Sequence, residues 1–165
     1  MYGIGDRIVY GAQGVMEIVD ITEQELGDSA RKYYVMKEYA SASPSLTYVP
    51  FDNELLIAQM QPLLTKDEIV AAVKAANAMG ELEWIEENRA RSESYKRILA
   101  SADRVMMLAM IRSVYLTGKR REEEGKKNYV ADENVMRKAE KHINVEFALV
   151  LGIPESDVPA FIDSI

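Results

Sequence analysis

Hydrophobic and polar residues follow two different periodicities along the chain, and the change falls near Thr65. Before it, short β-favouring runs alternate with breaks that contain Gly, Asp and Ser, a pattern typical of antiparallel strands. The predicted strands are Arg7–Tyr10, Gly14–Ile21, Lys32–Tyr39 and Leu46–Val49. So many short strands within residues 1–50 predict a small barrel or sandwich.

From Thr65 onward the apolar period lengthens to about 3.6 residues, which indicates helices. Thr65 and Glu68 have the spacing of a capping box, and Gly80 is a suitable helix end. Asp103 and Asp132 are predicted to cap the third and fourth helices, and Pro154 suits the first turn of a last short helix. The predicted helices cover 66–79, 82–99, 104–116, 133–151 and a final segment with Val158, Phe161 and Ile162 on its buried side.

The expected fold class is therefore α+β, with a small N-terminal β domain followed by an all-helical domain of about five helices. We expect the domains to be residues 1–60 and 61–165, because Phe51–Leu64 contains Pro62 and connects the two patterns. The segment Gly118–Ala131 is the most polar part of the helical half and is predicted to be a loop.

Composition excludes several kinds of chemistry. The 165 residues include no cysteine, so disulfides, thiolate nucleophiles and sulfur-ligated metals are ruled out. No apolar run approaches the roughly 20 residues of a membrane span, and the start of the chain lacks the pattern of a secretory leader. A cytoplasmic protein without membrane contact is expected.

Charge is distributed unevenly along a chain whose net charge is −7. Residues 1–60 hold four Lys/Arg and nine Asp/Glu, a net −5, whereas residues 84–127 hold eleven Lys/Arg and seven Asp/Glu, a net +4. Affinity for nucleic acid comes largely from basic side chains that neutralise phosphates. The overall charge argues against a sequence-blind nucleic-acid coat, and any phosphate contact is expected within residues 84–127.

Trp84, the only tryptophan, stands at the start of a predicted helix in this basic window. An aromatic side chain that enters the minor groove can partly unstack a base step while arginines hold the backbone. The alternative is that Trp84 packs against the preceding helix and the basic residues only solvate a surface. The candidate DNA-binding residues are Trp84, Asn88, Arg89, Arg91, Lys96 and Arg97.

Catalysis receives little support from the sequence. His142 and Glu146 are four residues apart on a predicted helix and could face one metal ion, but no third ligand is evident. The glycines at Gly3–Gly5 and Gly11–Gly14 lack the lysine and the strand-to-helix context of a phosphate loop. We expect no enzyme activity, no catalytic residues, no metal or other cofactor, and no small-molecule substrate.

Several segments together resemble a known family. The run from Gly5 to Ile18 (GDRIVYGAQGVMEI) is similar to the opening of CarD/CdnL proteins and of the polymerase-interacting domain of transcription-repair coupling factors (TRCF), and Tyr33–Met36 and Leu46–Pro50 resemble that domain's later strands. The similarity continues through Trp84, the stretch 95–103 and the end 146–153. The chain is identified as a member of this family of bacterial transcription regulators.

The resemblance implies a Tudor-like or SH3-like barrel that binds the β subunit of RNA polymerase. It also implies a helical domain that contacts promoter DNA near the upstream edge of the −10 element and stabilises the open complex, with Trp84 as the wedge. An exposed edge strand can add to a partner's sheet, which makes four strand residues candidates for polymerase binding, although each could equally be barrel core or ordinary surface. These residues are Tyr34, Met36, Leu46 and Tyr48.

The competing interpretation is a protein–protein adaptor that binds polymerase, or another partner, without touching DNA. The net charge favours the adaptor, whereas the basic window favours DNA contact.

Overall fold

A computed structural model describes residues 1–43 and 45–165, which form two compact units, Met1–Leu63 and Leu64–Ile165. The predicted boundary after residue 60 falls within the last strand of the first unit. The boundary between the units lies a few residues later, after this strand ends. The fold class is α+β, as predicted, with an antiparallel sheet in the first unit and helices in the second.

The first unit is a five-stranded antiparallel sheet with the strand order β4-β3-β2-β1-β5. The strands are β1 (Arg7–Tyr10), β2 (Val15–Leu26), β3 (Ser29–Glu38), β4 (Leu46–Pro50) and β5 (Met60–Pro62), with a short helix α1 (Glu54–Ile57) before β5. The segment 51–64, predicted to be only a connection, thus contains α1 and β5. Strand β2 ends later and strand β3 begins earlier than predicted, and the two meet at a two-residue turn, where Gly27 has a positive φ of 65°.

Alternation places one face of each strand in the core of this unit. The register pairs Ile8 with Met16 and Ile18 with Met36, so the buried side chains of three neighbouring strands meet on one face. The alternating pattern of β2 and β3 is interrupted between Ile18 and Asp20, where the register shifts at a bulge. The buried core consists of Ile8, Tyr10, Met16, Ile18, Tyr34, Met36, Val49 and Met60.

The second unit contains five helices: α2 (Lys66–Met79), α3 (Asn88–Ser101), α4 (Arg104–Glu123), α5 (Val130–Leu151) and α6 (Val158–Asp163). The predicted capping box is present, because Thr65 accepts a hydrogen bond from the Glu68 amide and Glu68 accepts one from Thr65. Gly80 ends α2 with a positive φ, also as predicted, and Gly152 ends α5 in the same way. Inward-facing residues from all five helices form one core around Ile69, Tyr95, Met110, Phe147 and Val158.

Several predicted helix limits in this unit are wrong. Helix α3 begins at Asn88 and not at Leu82, because Glu87 accepts hydrogen bonds from the first-turn amides and acts as its cap. Helix α4 continues to Glu123, so the first part of the predicted loop Gly118–Ala131 is helical and the loop is shorter than expected. Helix α5 begins at Val130, which leaves Asp132 inside its first turn with its side chain buried.

The last helix also differs from its prediction. Pro154 precedes a short 3-10 turn, Glu155–Asp157, and α6 starts only at Val158 with Pro159 in its first turn. Val158 is fully buried, and Phe161 and Ile162 pack against the core, as the apolar pattern predicts. In the described residues, no helix combines the length and the apolar character needed to cross a membrane.

Candidate functional site

The edge strand β4 carries exposed apolar side chains. Leu46 and Tyr48 are 48% and 46% exposed, and β4 pairs only with β3 in the described sheet. The Tyr48 ring packs edge-on against Tyr33 of β3, with ring centroids 6.2 Å apart. Because Tyr48 lies opposite Val35 and Leu46 opposite Lys37, all of these residues belong to one face of the sheet. This surface, which we call the β4 edge and which consists of Leu46, Tyr48 and the supporting Tyr33, is one to which another protein can bind.

Tyr34 and Met36, also predicted to bind polymerase, belong to the opposite face, and that prediction is wrong. Their side chains are only 4% and 0% exposed. Tyr34 stacks on Phe51 with ring centroids 4.2 Å apart and meets Tyr2 edge-on at 6.4 Å. Both residues are core of the β unit, so a partner at β4 cannot reach their side chains without disrupting the sheet.

Trp84 lies in an irregular segment between α2 and α3 and is partly exposed. Its indole contacts the Arg91 guanidinium, whose central carbon is 4.2 Å from the ring centroid, and the Tyr129 ring at a centroid distance of 5.8 Å. The Arg91 guanidinium is also 4.4 Å from the Tyr129 centroid. These three side chains, which we call the Trp84 cluster, therefore contact one another pairwise.

Arg91 is predicted to contact phosphate, and the structure contradicts this, because its side chain is only 1% exposed. Its Nε donates to the Asp132 carboxylate at 2.7 Å, and its Nη1 donates to the Ile85 and Glu86 carbonyls. Its Nη2 donates to Asn88 Oδ1 at 2.9 Å. The guanidinium is occupied inside the protein, and Asn88, though exposed, uses its side-chain oxygen for this contact.

The outward face of α3 carries the remaining basic candidates. Arg89, Lys96 and Arg97 are exposed, with Arg89 about two turns before the other two, while Arg91 and Tyr95 face inward. Arg89 pairs with Glu93 at 3.2 Å. Lys96 and Arg97 have no ion-pair partner within the part of the chain that the structure describes. In this basic stripe of Arg89, Lys96 and Arg97, the last two are therefore available to bind an anion.

Other positive charges of the basic window are compensated within the helical unit. Arg104 is buried and forms a bidentate pair with Glu146, at 2.9 and 2.8 Å. Arg120 forms a bidentate pair with Glu81, and this hydrogen bonding lowers the pKa of the Glu81 carboxyl below its ordinary value. The net +4 counted along residues 84–127 therefore overstates the positive charge available to a ligand.

The Glu146 carboxylate, whose spacing from His142 could place two ligands on one metal ion, is engaged inside the protein. Glu146 is 2% exposed, and its carboxylate accepts hydrogen bonds from Arg104 and from the Leu64 amide. Across residues 1–43 and 45–165, no group of three or more His, Asp or Glu side chains is arranged to hold a metal ion.

Sequence reasoning missed Tyr33 and Tyr129, which complete these two surfaces. Tyr33 and Tyr34 are neighbours on β3 and point to opposite faces of the sheet. The strand register, which the sequence alone does not give, shows that Tyr33 shares the face of Tyr48. Tyr129 lies in the segment that was predicted to be a loop, 45 residues from Trp84 in the chain. Its contact with Trp84 depends on how α3 and α5 pack, which no local pattern indicates.

An exposed aromatic edge on a small Tudor-like sheet is a surface suited to protein interaction. Residues 2–63 match the family model of the CarD-like/TRCF RID domain. The N-terminal unit therefore matches the CarD-like/TRCF RID family, and the identification made from the sequence is confirmed for this unit. The match covers the sheet unit and does not extend into the helical unit.

The members of this family are non-enzymatic RNA polymerase-interacting domains, so at the family level the match supports interaction of the N-terminal unit with RNA polymerase. No curated protein matches the chain.

Proposed function

We propose that this chain is a transcription regulator that binds the RNA polymerase β subunit through its N-terminal unit. In this proposal, the helical unit contacts promoter DNA near the upstream edge of the −10 element and stabilises the open complex. The protein acts where the polymerase acts, in the cytoplasm. The observation that carries the DNA-binding part is the position of partly exposed Trp84 beside α3, whose outward face holds Lys96 and Arg97 without ion-pair partners in the described chain.

Polymerase binding is proposed to use the β4 edge. The unpaired side of an edge strand offers backbone amides and carbonyls to a strand of the partner, while alternate side chains provide specificity. Leu46 and Tyr48 are the outward side chains of β4, and Tyr33 supports Tyr48 from the neighbouring strand. Tyrosine is enriched among residues that dominate binding energy at protein interfaces. The surface is therefore suited to a polymerase contact that is mostly apolar.

DNA binding is proposed to combine the indole of Trp84 with the basic stripe of α3. The indole would wedge into DNA at the edge of the opening bubble, and Arg89, Lys96 and Arg97 would contact flanking phosphates. Residues 64–165 carry sixteen Lys/Arg and eighteen Asp/Glu, a net −2, so this unit binds DNA weakly on its own. Tethering to polymerase raises its local concentration at the promoter, which makes weak contacts sufficient.

The direct test measures the affinity of the full chain for fork-junction DNA over a range of salt concentrations. Each phosphate contact steepens the dependence of log affinity on log salt by roughly 0.7 to 0.9. A slope that indicates two or three contacts supports the proposal. Absence of DNA binding at low salt, both with and without polymerase present, rejects it.

The second candidate function is an adaptor that binds polymerase without touching DNA. It is favoured by the net charge of −7 and by the internal pairing of Arg91, Arg104 and Arg120. An adaptor would keep its affinity for the β subunit and show no salt-dependent affinity for the fork. The same titration thus separates the two functions.

A further inference from the structure

The segment around Trp84 has no regular secondary structure, so other contacts must determine the orientation of its ring. The Leu82 amide donates to Ser113 Oγ at 2.8 Å, which anchors the segment on the N-terminal side of Trp84. On the C-terminal side, Arg91 Nη1 donates to the carbonyls of Ile85 and Glu86 at 2.9 and 3.3 Å. The backbone on both sides of Trp84 is thus held by side chains from neighbouring helices.

Arg91 also fixes the plane against which the indole packs. Its hydrogen bonds to Asp132, to two backbone carbonyls and to Asn88 engage all three guanidinium nitrogens. A planar guanidinium bound in this way cannot rotate, and it presents one flat face to an aromatic ring. Its 4.2 Å approach to the Trp84 centroid therefore sets the tilt of the indole.

Tyr129 contacts both other members of the Trp84 cluster. Its ring is 5.8 Å from the indole and 4.4 Å from the Arg91 guanidinium, so the three groups form a compact triangle. Tyr129 is itself held by Arg121, whose guanidinium lies 4.1 Å from the ring centroid and whose Nη1 donates to the Tyr129 hydroxyl at 3.2 Å. Arg121 Nε donates in turn to the Lys127 carbonyl.

From this geometry we infer that Arg91 and Tyr129 are positioning residues, which hold Trp84 in one orientation before DNA is bound. The inference rests on the proposed wedge function and extends it, since neither residue touches DNA itself. A side chain that is ordered in the free protein does not lose rotamer freedom when it binds. The cluster thus increases the lifetime of the open complex by preorganisation and not by added contacts.

Two variants test the inference in the full chain. Tyr129→Leu keeps apolar volume but removes the ring, and Arg91→Lys keeps the charge opposite Asp132 but removes the planar group. Because Trp84 is the only tryptophan, its fluorescence reports the indole without background. We expect a faster anisotropy decay and stronger acrylamide quenching in both variants. The open-complex lifetime should shorten by roughly 2- to 10-fold, the cost of ordering one side chain.

Tyr129→Phe and Tyr115→Leu serve as controls. Tyr129→Phe retains the ring and should leave indole mobility close to that of the parent protein. Tyr115 is exposed and packs on Lys119, away from the Trp84 cluster, so its replacement should change neither readout. Circular dichroism at the assay temperature confirms that each variant is folded, and polymerase affinity should be unchanged in all of them.

Unchanged indole mobility in both folded test variants would overturn the inference, and so would an unchanged or longer open-complex lifetime despite a mobile indole. Failure of the proposed function gives a different result. In that case Trp84→Ala itself leaves the lifetime unchanged, and no wedge remains for Arg91 and Tyr129 to position.

Discussion

Arg91 of α3 and Asp132 of α5 form an ion pair at 2.7 Å in which the side chains are only 1% and 5% exposed. The two residues are 41 positions apart, so the pair fastens two helices together at the place where Trp84 is held. Both charges are removed from water, and each depends on the other for compensation. This relationship connects the stability of the helical unit with the geometry of its proposed DNA contact.

Removing Arg91 should therefore destabilise the helical unit strongly. Arg91→Ala leaves the Asp132 carboxylate buried without its cation and deprives the Ile85 and Glu86 carbonyls of their donor. Breaking a buried pair typically costs about 3–5 kcal/mol. We expect a loss of that size in the free energy of unfolding, measured by urea denaturation followed through helical circular dichroism.

Arg89→Ala is the matched control for this prediction. Arg89 is two residues away on the same helix, but its side chain is exposed and its partner Glu93 is also exposed. Exposed pairs contribute about 0–1 kcal/mol. Equal destabilisation by the two substitutions would show that Arg91 acts only through helix propensity and not through its buried pair.

The wedge role predicts a selective effect of Trp84→Ala. If the indole stabilises opened DNA more than closed DNA, its removal shifts the equilibrium by that difference alone. The open-complex lifetime should fall, by about 10-fold if the base-step contact contributes about 1–2 kcal/mol. Affinity for the polymerase β subunit should stay the same, because Trp84 lies outside the matched RID domain. Unchanged lifetimes on several promoters reject the wedge.

The sequence predicted the fold well because both units follow simple periodicities. Strand β1 matches its predicted limits, and the cap of α2 was recognisable from Thr65 and Glu68. Strand β5 was missed, since its three residues are too few to show alternation. The start of α3 was placed six residues too early, because Leu82, Trp84 and Ile85 resemble the first turn of an amphipathic helix.

The candidate site was harder to predict, since it depends on tertiary contacts. Tyr34 and Tyr48 look equivalent as strand tyrosines, and only the register shows that one is core and the other is exposed. Arg91 looks like Arg89 and Arg97 in the sequence. The distinction comes from Asp132, which is distant in the chain and becomes its partner only when α3 and α5 pack together.

The basic stripe predicts a change in salt dependence. Lys96→Ala and Arg97→Ala should each weaken binding to fork DNA and reduce the slope of log affinity against log salt by about 1. Lys138→Ala is the matched control, because Lys138 is an exposed lysine on α5 that lies outside the proposed contact. If the Lys138 variant lowers the slope as much as the others, the effect reflects general charge and not a contact at α3.

The β4 edge predicts a specific loss of polymerase affinity. Tyr48→Ala should weaken binding to a β-subunit fragment by about 10-fold, since a truncated interface residue of this type often costs more than 1 kcal/mol. Leu46→Glu should also weaken binding, because it places a charge on an apolar contact surface. Both effects are measured by titration of the full chain against the labelled fragment.

A matched control for the edge comes from the same unit. Leu55 of α1 is 82% exposed, so Leu55→Glu adds the same charge at an exposed leucine outside strand β4. It should leave affinity for the fragment unchanged. A comparable loss with Leu55→Glu would mean that added negative charge alone weakens binding, and the β4 edge would lose its support as the docking strand.

Glu140 gives the helical unit a predictable response to pH. Burial raises the pKa of this carboxyl above its ordinary value of 4.5, and the nearby charge of Arg137 opposes the shift only in part. The folded state therefore binds the proton more tightly than the unfolded state. The resulting stabilisation is fully present below pH 4.5 and is lost as the pH rises through the raised pKa.

Glu140→Gln should consequently stabilise the protein at pH 7, because it removes a partly buried charge, and should confer no advantage at pH 4, where Glu140 is largely protonated. A gain on the order of 0.5 kcal/mol is expected from a change at a partly exposed position. Glu83→Gln, at an exposed residue outside the helices, controls for the altered net charge. The measurement is the difference in unfolding free energy between variant and parent at the two pH values. An equal difference at pH 4 and pH 7 would show that Glu140 acts through packing or helix propensity, since neither of these depends on its proton.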